Sequence, residues 1–185
     1  MKGEIFNLLE VFIVENWGQE TFEEIFEAVH AKLATKEPFV GPGTYPDSDL
    51  FAIAGSAAAK LNISLPEALR AFGKFCFPKL ALKVPQFVSP FHHPKDFLLT
   101  LHNVIHVEVK KLYKDAEPPN FFYRDPAPSQ LVMIYDSRRK LYDFVEGLLD
   151  GVSDYFKVPI QVRRTPVMQD GKEMCEFLLT FGSST

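Results

Sequence analysis

The segment Asn103–Pro119, NVIHVEVKKLYKDAEPP, predicts an amphipathic helix that ends before a Pro-Pro pair. His106, Val109 and Tyr113 stand at i, i+3 and i+7, so they share the inner face of this helix, and Asp115–Pro119 supplies the stop. A neutral imidazole on such a face can bind a transition metal without bringing net charge into apolar surroundings. A core histidine that bonds a backbone carbonyl fits the same pattern, so the segment alone leaves both interpretations open.

A second segment, IYDSRRK at 134–140, carries polar groups at every other position. Tyr135, Ser137 and Arg139 alternate with a period of two, so in an extended chain their side chains leave the same face. A phenol, a hydroxyl and a guanidinium together form a hydrogen-bonding surface for carboxylates. The pattern is also that of an ordinary solvated strand end.

Five blocks of the sequence, in this order, resemble the heme nitric oxide/oxygen binding family, the H-NOX or HNOB domains, in its bacterial stand-alone type. The blocks are MKGEIFNLLE at 1–10, TYPDSDLFAIAG at 44–55, LPEALRAFGKF at 65–75, the His106 segment and YDSRR at 135–139. The resemblance covers Met1 to about Phe181. It implies one α+β domain over residues 1–185, in which a helical subdomain of about residues 1–62 packs with a heme-anchoring subdomain of about residues 63–185. The second part is expected to hold an antiparallel sheet plus helices, and the two to enclose heme b, iron protoporphyrin IX.

The resemblance assigns roles to individual residues of the two segments. His106 matches the sole protein ligand of the ferrous iron. Tyr135, Ser137 and Arg139 match the residues that hold the heme propionates. Pro119 resembles the proline that presses on the macrocycle in relatives, although a plain helix stop would also explain a proline there.

The gas selectivity implied by the resemblance rests on an apolar lining. Ile5, Leu9, Phe144 and Leu148 match positions near the gas-binding face of the heme. Family members that bind oxygen stably have a tyrosine at the position of Phe144, and its hydroxyl bonds the bound gas. Tyr142 lies two positions away on a predicted helix and should point elsewhere. The implied function is a nitric oxide sensor that excludes oxygen and binds carbon monoxide incidentally.

The family also implies how such a sensor signals, and it implies a sensor rather than an enzyme. Nitric oxide weakens the bond trans to it, which moves the helix that bears His106 relative to the N-terminal helices. The length of the chain predicts signalling in trans to a partner, either a histidine kinase or a cyclic-di-nucleotide enzyme such as a diguanylate cyclase or phosphodiesterase.

Composition excludes several other classes of protein. The 185 residues suit a single domain with a sizeable core, and a net charge of −4 offers no basic field for nucleic acid or a membrane surface. Glu4 and Glu10 interrupt the apolar N-terminal stretch, which argues against a signal peptide and favours a cytoplasmic protein. Cys76 and Cys175 are too few for a disulfide framework and are expected to be buried thiols.

Hydrophobic spacing predicts mostly helices before Pro119 and mostly strands after it. The expected helices are residues 2–16, a second after Gly18, a third ending near Asn62, a fourth that begins at a Ser64/Glu67 capping box, one leading into His106, and one at about 140–156. The prolines from Phe77 to Pro94 predict an irregular connection. The expected strands are 121–123, 131–137, one around Ile160 and Val162, and one around Cys175 to Leu179, with turns at 126–129 and 169–171.

Three rival functions are kept open. His102 and His106 stand at i, i+4, as zinc ligands do in hydrolases, but Asn103 occupies the place of the glutamate that such a motif needs. A heme enzyme such as a peroxidase would need a histidine or arginine on the gas side, and the proposed lining offers neither. A heme-based carrier or store of gas would need no signalling partner.

Overall fold

The computed structural model describes residues 1–169 and 171–183, and its contacts divide into two units, Met1–Phe72 and Gly73–Thr185. The fold is α+β, as the sequence predicted. The helices are α1 (Gly3–Trp17), α2 (Gln19–His30), α3 (Asp47–Leu61), α4 (Leu65–Lys83), α5 (Pro94–Leu98), α6 (His106–Leu112) and α7 (Tyr142–Phe156). The strands are β1 (Asn120–Ala127), β2 (Gln130–Asp136), β3 (Ile160–Gln169) and β4 (Lys172–Phe181).

In the first unit, α1, α2 and α3 pack on one another. Phe6, Leu9 and Phe12 recur on α1 at helical spacing and are buried, which explains why this face needs covering helices. Gly18 joins α1 to α2 with φ 90°, a backbone conformation that side chains with a Cβ rarely adopt. Among the described residues, no helix combines the length and apolar character needed to span a bilayer.

A buried carboxylate holds the long connection between α2 and α3. Asp49 is 2% exposed and accepts hydrogen bonds from the backbone N–H groups of Ala34 and Thr35, each at 2.9 Å. Burial acts to raise the pKa of Asp49, but these bonds and the nearby Lys36 outweigh it and lower the pKa. The irregular stretch predicted from the prolines and glycines at 36–47 is confirmed, up to the first residue of α3.

The capping box that begins α4 is confirmed. The Ser64 hydroxyl donates to Glu67 at 2.6 Å, and the backbone N–H of Glu67 donates back to it at 3.3 Å. The irregular connection predicted from Phe77 onward is wrong in its first part, because α4 continues to Lys83 with Pro78 inside it. A proline has no backbone N–H, so the carbonyl four residues before Pro78, that of Lys74, does not receive the usual helical hydrogen bond. That carbonyl faces α7, where a Cβ added to Gly151 would lie 2.9 Å from it.

The second unit is a four-stranded antiparallel sheet in the order β1-β2-β4-β3, with α7 beside β3. Its core is centred on β2 and β4, where Leu131, Met133, Cys175, Phe177 and Leu179 are at most 1% exposed. Cys76 and Cys175 are both buried thiols, as expected.

The strands are longer than their apolar cores suggested. β1 runs on through Pro126 to Ala127 with a shifted register, which leaves only Pro128 and Ser129 of the predicted 126–129 turn. Part of the predicted 169–171 turn, Asp170, lies outside the described residues.

Candidate functional site

A π-helical segment, Leu101–Ile105, leads directly into α6 and places His106 at its first turn. The backbone N–H of His106 donates to the carbonyl of Leu101, five residues earlier, and Ile105 donates to Thr100 in the same way at 3.2 Å. Such segments occur frequently at functional sites. The sequence predicted a helix here but not this local widening, because apolar spacing does not distinguish one extra residue in a turn.

The His106 ring is fixed by one hydrogen bond and one ring contact. Its Nδ1 lies 3.0 Å from the carbonyl oxygen of Pro119, and the ring stacks on Phe121 with centroids 5.7 Å apart. A carbonyl can only accept, so Nδ1 carries the hydrogen and Nε2 keeps its lone pair. This arrangement is typical of metal-ligating histidines.

The protonation state of His106 suits ligation as well. Burial lowers its pKa to about 4, with smaller contributions from His102 and Lys110, and the Pro119 carbonyl acts in the opposite direction. The imidazole is therefore neutral at neutral pH, the form in which histidine binds metals.

The end of α6 corrects two expectations. The helix stops at Leu112, and Tyr113 is extended and 37% exposed, so Tyr113 is not on the predicted inner stripe. Pro119 lies seven residues beyond the helix and directly before β1, so it does not end α6. No side chain of α6 is fully buried and Leu112 is 72% exposed, so packing does not extend the helix further.

The Tyr135, Ser137 and Arg139 segment also departs from the predicted geometry. β2 ends at Asp136, and Ser137 and Arg139 lie in a turn, so the prediction of one extended row of side chains is wrong. Tyr135 is 2% exposed in the core, with its ring 5.7 Å from that of Tyr142. The Ser137 hydroxyl oxygen accepts from the backbone N–H of Arg139 at 3.3 Å, which leaves its O–H as a donor.

Glu117 connects this turn to the histidine. Arg139 donates from Nη1 to the carbonyl of Glu117 at 2.6 Å, two residues before the carbonyl that bonds His106. Two residues of chain span at most roughly 7 Å, so His106 and the Arg139 fork are held by one short, proline-rich segment. The role of Glu117 was missed from the sequence, where only the Pro-Pro pair beside it stood out.

A cavity of about 670 Å³ lies beside this turn, in the second unit. Ser137 and Arg139 line it, together with residues from the start of β1, the end of β3 and the start of β4. Its charged lining residues are Glu117, Asp136, Arg138, Arg139, Lys140, Lys172 and Glu173. The lining therefore has one more cationic than anionic side chain, which suits an anionic ligand group.

The four apolar residues expected on the gas-binding face fall in different units. Ile5 and Leu9 lie on α1 in the first unit, and Phe144 and Leu148 lie half-buried on α7 in the second. Tyr142 directs its hydroxyl to Glu173 at 3.3 Å. The placement of these four apolar side chains around the bound gas therefore stays a prediction.

A zinc centre finds no support in the described part of the chain. His102 uses Nδ1 to accept from the backbone N–H of Phe121 at 3.3 Å. Within residues 1–169 and 171–183 no three histidine, cysteine or acidic side chains converge as metal ligands. The site instead offers one neutral imidazole with an oriented Nε2, and a guanidinium and a hydroxyl nearby, a donor set that fits a macrocycle with one axial ligand and two carboxylates.

Comparison with known proteins points to the same chemistry. A family model described as Haem-NO-binding matches residues 2–164. A crystal structure of an H-NOX protein from S. oneidensis, a mutant in the Fe(II) ligation state, is 32% identical with a TM-score of 0.89, covering 100% of this chain and 98% of that one. The Fe(II)NO state of an S. oneidensis H-NOX protein matches at 32% identity and TM-score 0.88, covering 99% and 100% of the two chains. An Fe(II) unliganded H-NOX protein from K. algicida matches at 26% and 0.87, covering 99% and 97%.

Proposed function

Because this chain belongs to the Haem-NO-binding (H-NOX) family of heme-based gas sensors, we propose that it senses nitric oxide at a ferrous heme b held by a single histidine. Members of this family are sensor domains rather than enzymes. The proposed sensor excludes oxygen and binds carbon monoxide as an incidental ligand. A solved relative in the Fe(II)NO state supports nitric oxide as the gas.

The observation that carries the proposal is the hydrogen bond between His106 Nδ1 and the Pro119 carbonyl at 3.0 Å. It fixes the tautomer and the ring orientation, and burial keeps the imidazole neutral. His106 Nε2 is then the proposed iron ligand. Ferrous heme held there by one histidine would supply an open coordination position for a diatomic gas.

The polar residues of the second unit are the proposed anchors for the propionates. Ser137 is proposed to donate its O–H and Arg139 its guanidinium N–H groups, which bind carboxylates with charge-assisted bonds. The phenol of Tyr135 is the third proposed donor. Pro119 is proposed to contact the macrocycle with its ring while its carbonyl bonds His106.

Selectivity is proposed to come from an apolar lining of Ile5, Leu9, Phe144 and Leu148. Bound oxygen gains much more than nitric oxide from a hydrogen-bond donor, and phenylalanine at position 144 supplies none. A charge-assisted bond of this kind is worth about 1.5–3 kcal/mol, or roughly ten- to a hundredfold in affinity.

A sensor requires a second protein or domain that responds to it. We propose a histidine kinase or a diguanylate cyclase or phosphodiesterase in this role, from the resemblance to bacterial relatives. A carrier of gas would bind the same ligands without changing the activity of such an enzyme.

Replacing His106 with glycine tests the ligation directly. We expect the ferrous variant to lose the absorption spectrum of histidine-ligated heme and to regain it when free imidazole is added. His102→Gln is the matched control, since His102 accepts from the backbone of Phe121, and it should leave the spectrum unchanged. Equal loss in both variants would instead favour a site that needs both histidines.

A further inference from the structure

The cavity beside the Ser137–Lys140 turn contains an acidic residue that should repel the ligand proposed for it. Asp136 is the last residue of β2, between the proposed anchors Tyr135 and Ser137, and it lines this cavity. We propose that Lys172 determines the preference of this site for a carboxylate-bearing ligand, because its ammonium group neutralises Asp136. This inference rests on the proposed function, which places the heme propionates at the same turn.

The Lys172 ammonium and the Asp136 carboxylate are in close contact, and the two side chains differ strongly in exposure. Lys172 Nζ lies 2.8 Å from Asp136 Oδ2, and the side chains are 60% and 8% exposed, respectively. A carboxylate that is nearly buried loses its hydration and depends on its partner, whereas a largely exposed lysine remains hydrated without one. Loss of the lysine would therefore leave a negative charge beside Ser137 and Arg139.

In the other ion pairs of the cavity, including that of the 9% exposed Arg139 with Glu117, the acidic side chain is more exposed than Asp136 and should matter less. Arg138 pairs with Glu117 at 2.7 Å with side chains 72% and 61% exposed, and Lys140 pairs with Glu173 at 2.6 Å with 50% and 40%. Solvent screens such pairs, and each contributes little. The Lys172–Asp136 pair is distinguished by its buried acid.

The test compares hemin with hemin dimethyl ester, which has the same macrocycle but no ionisable carboxylates. The rate at which each porphyrin transfers from the protein to an excess of a heme-scavenging protein is measured at pH 8 and low salt. This pH lies well above the ordinary pKa range of carboxyl groups. Low salt preserves the interaction between charges several ångströms apart.

We expect hemin to leave the Lys172→Met variant about tenfold faster than the wild type, while the ester leaves both proteins at the same rate. Lys172→Arg should keep the wild-type rates. The double variant Asp136→Asn/Lys172→Met should return hemin to the wild-type rate, because it removes both charges. Lys74→Met is the matched control, since it deletes a lysine paired with Asp154 at 2.9 Å that does not line the cavity.

Two results would overturn the inference while leaving the proposed function intact. Equal acceleration for hemin and its ester would show that Lys172 only supports the fold. An unchanged hemin rate in Lys172→Met would show that Asp136 does not act on the ligand. A wild-type protein that takes up neither porphyrin would contradict the proposed function as well.

Discussion

At the scale of single residues, the environment of a side chain decides its chemistry. The chain holds 5 histidines, and among the described residues only His106 combines a carbonyl partner at Nδ1 with a pKa lowered to about 4. The sequence identified His106 because it interrupts an apolar face. It could not identify Pro119 as the acceptor, because that bond joins residues 13 positions apart through an irregular segment.

Phe144 carries the prediction on gas selectivity. Phe144→Tyr would place a hydroxyl donor at the position implied to face the gas, so we expect a stable oxygen complex in aerobic spectra of the ferrous protein. Oxygen should dissociate roughly ten- to a hundredfold more slowly than from the wild type, because a charge-assisted bond is gained. Nitric oxide binding should change little.

Tyr142→Phe is the control for Phe144→Tyr. It removes a hydroxyl two positions away on α7 that is directed to Glu173, so it should leave oxygen binding as it is in the wild type. If Phe144→Tyr gains no affinity for oxygen, position 144 does not face the gas and the proposed lining is wrong.

At the scale of elements, the short segment Glu117–Pro119 links the two parts of the proposed site. It accepts from Arg139 at Glu117 and from His106 at Pro119, and its consecutive prolines restrict its backbone. A displacement of His106 would therefore also displace the turn that contains Arg139. α6 ends at Leu112, before the prolines, so the coupling does not require the helix to extend to them.

Pro119→Ala tests whether the ring of this proline acts on the macrocycle. The backbone bond to His106 can remain in the variant, so we expect heme binding to persist but the heme to become flatter, as measured by resonance Raman spectroscopy or a crystal structure. The flatter heme should also weaken the response of a partner enzyme to nitric oxide. An unchanged heme shape would count against the proposed role of Pro119.

Elements were predictable from sequence where local spacing and tertiary packing agree. α1, α3, the Ser64 capping box and the strands of the sheet were recognised because apolar period and turn residues mark them. Pro78 was misread as the end of a helix, because the packing of Phe77 and Ala81 in the core of the second unit keeps α4 helical past it. The turn at Ser137–Lys140 was also missed, since Lys140 adopts a φ of 49° that its residue type does not signal.

At the scale of the whole molecule, the family and the fold follow from blocks spread along the chain, and the structural matches cover nearly all of it. The candidate site was predictable only in part. Its histidine, serine and arginine were recognised from motifs, whereas Glu117, Asp136 and Lys172 became visible through contacts between distant segments. Charge balance in a cavity depends on such contacts and has no local sequence pattern.

The most direct test of the central claim is the absorption spectrum of the purified protein after supply of hemin and reduction, recorded without gas, in air and with nitric oxide. We predict a coloured ferrous protein with one histidine ligand, a spectrum that shows no stable oxygen complex in air, and a clear change on addition of nitric oxide. A protein that stays colourless after hemin and reductant would contradict the account.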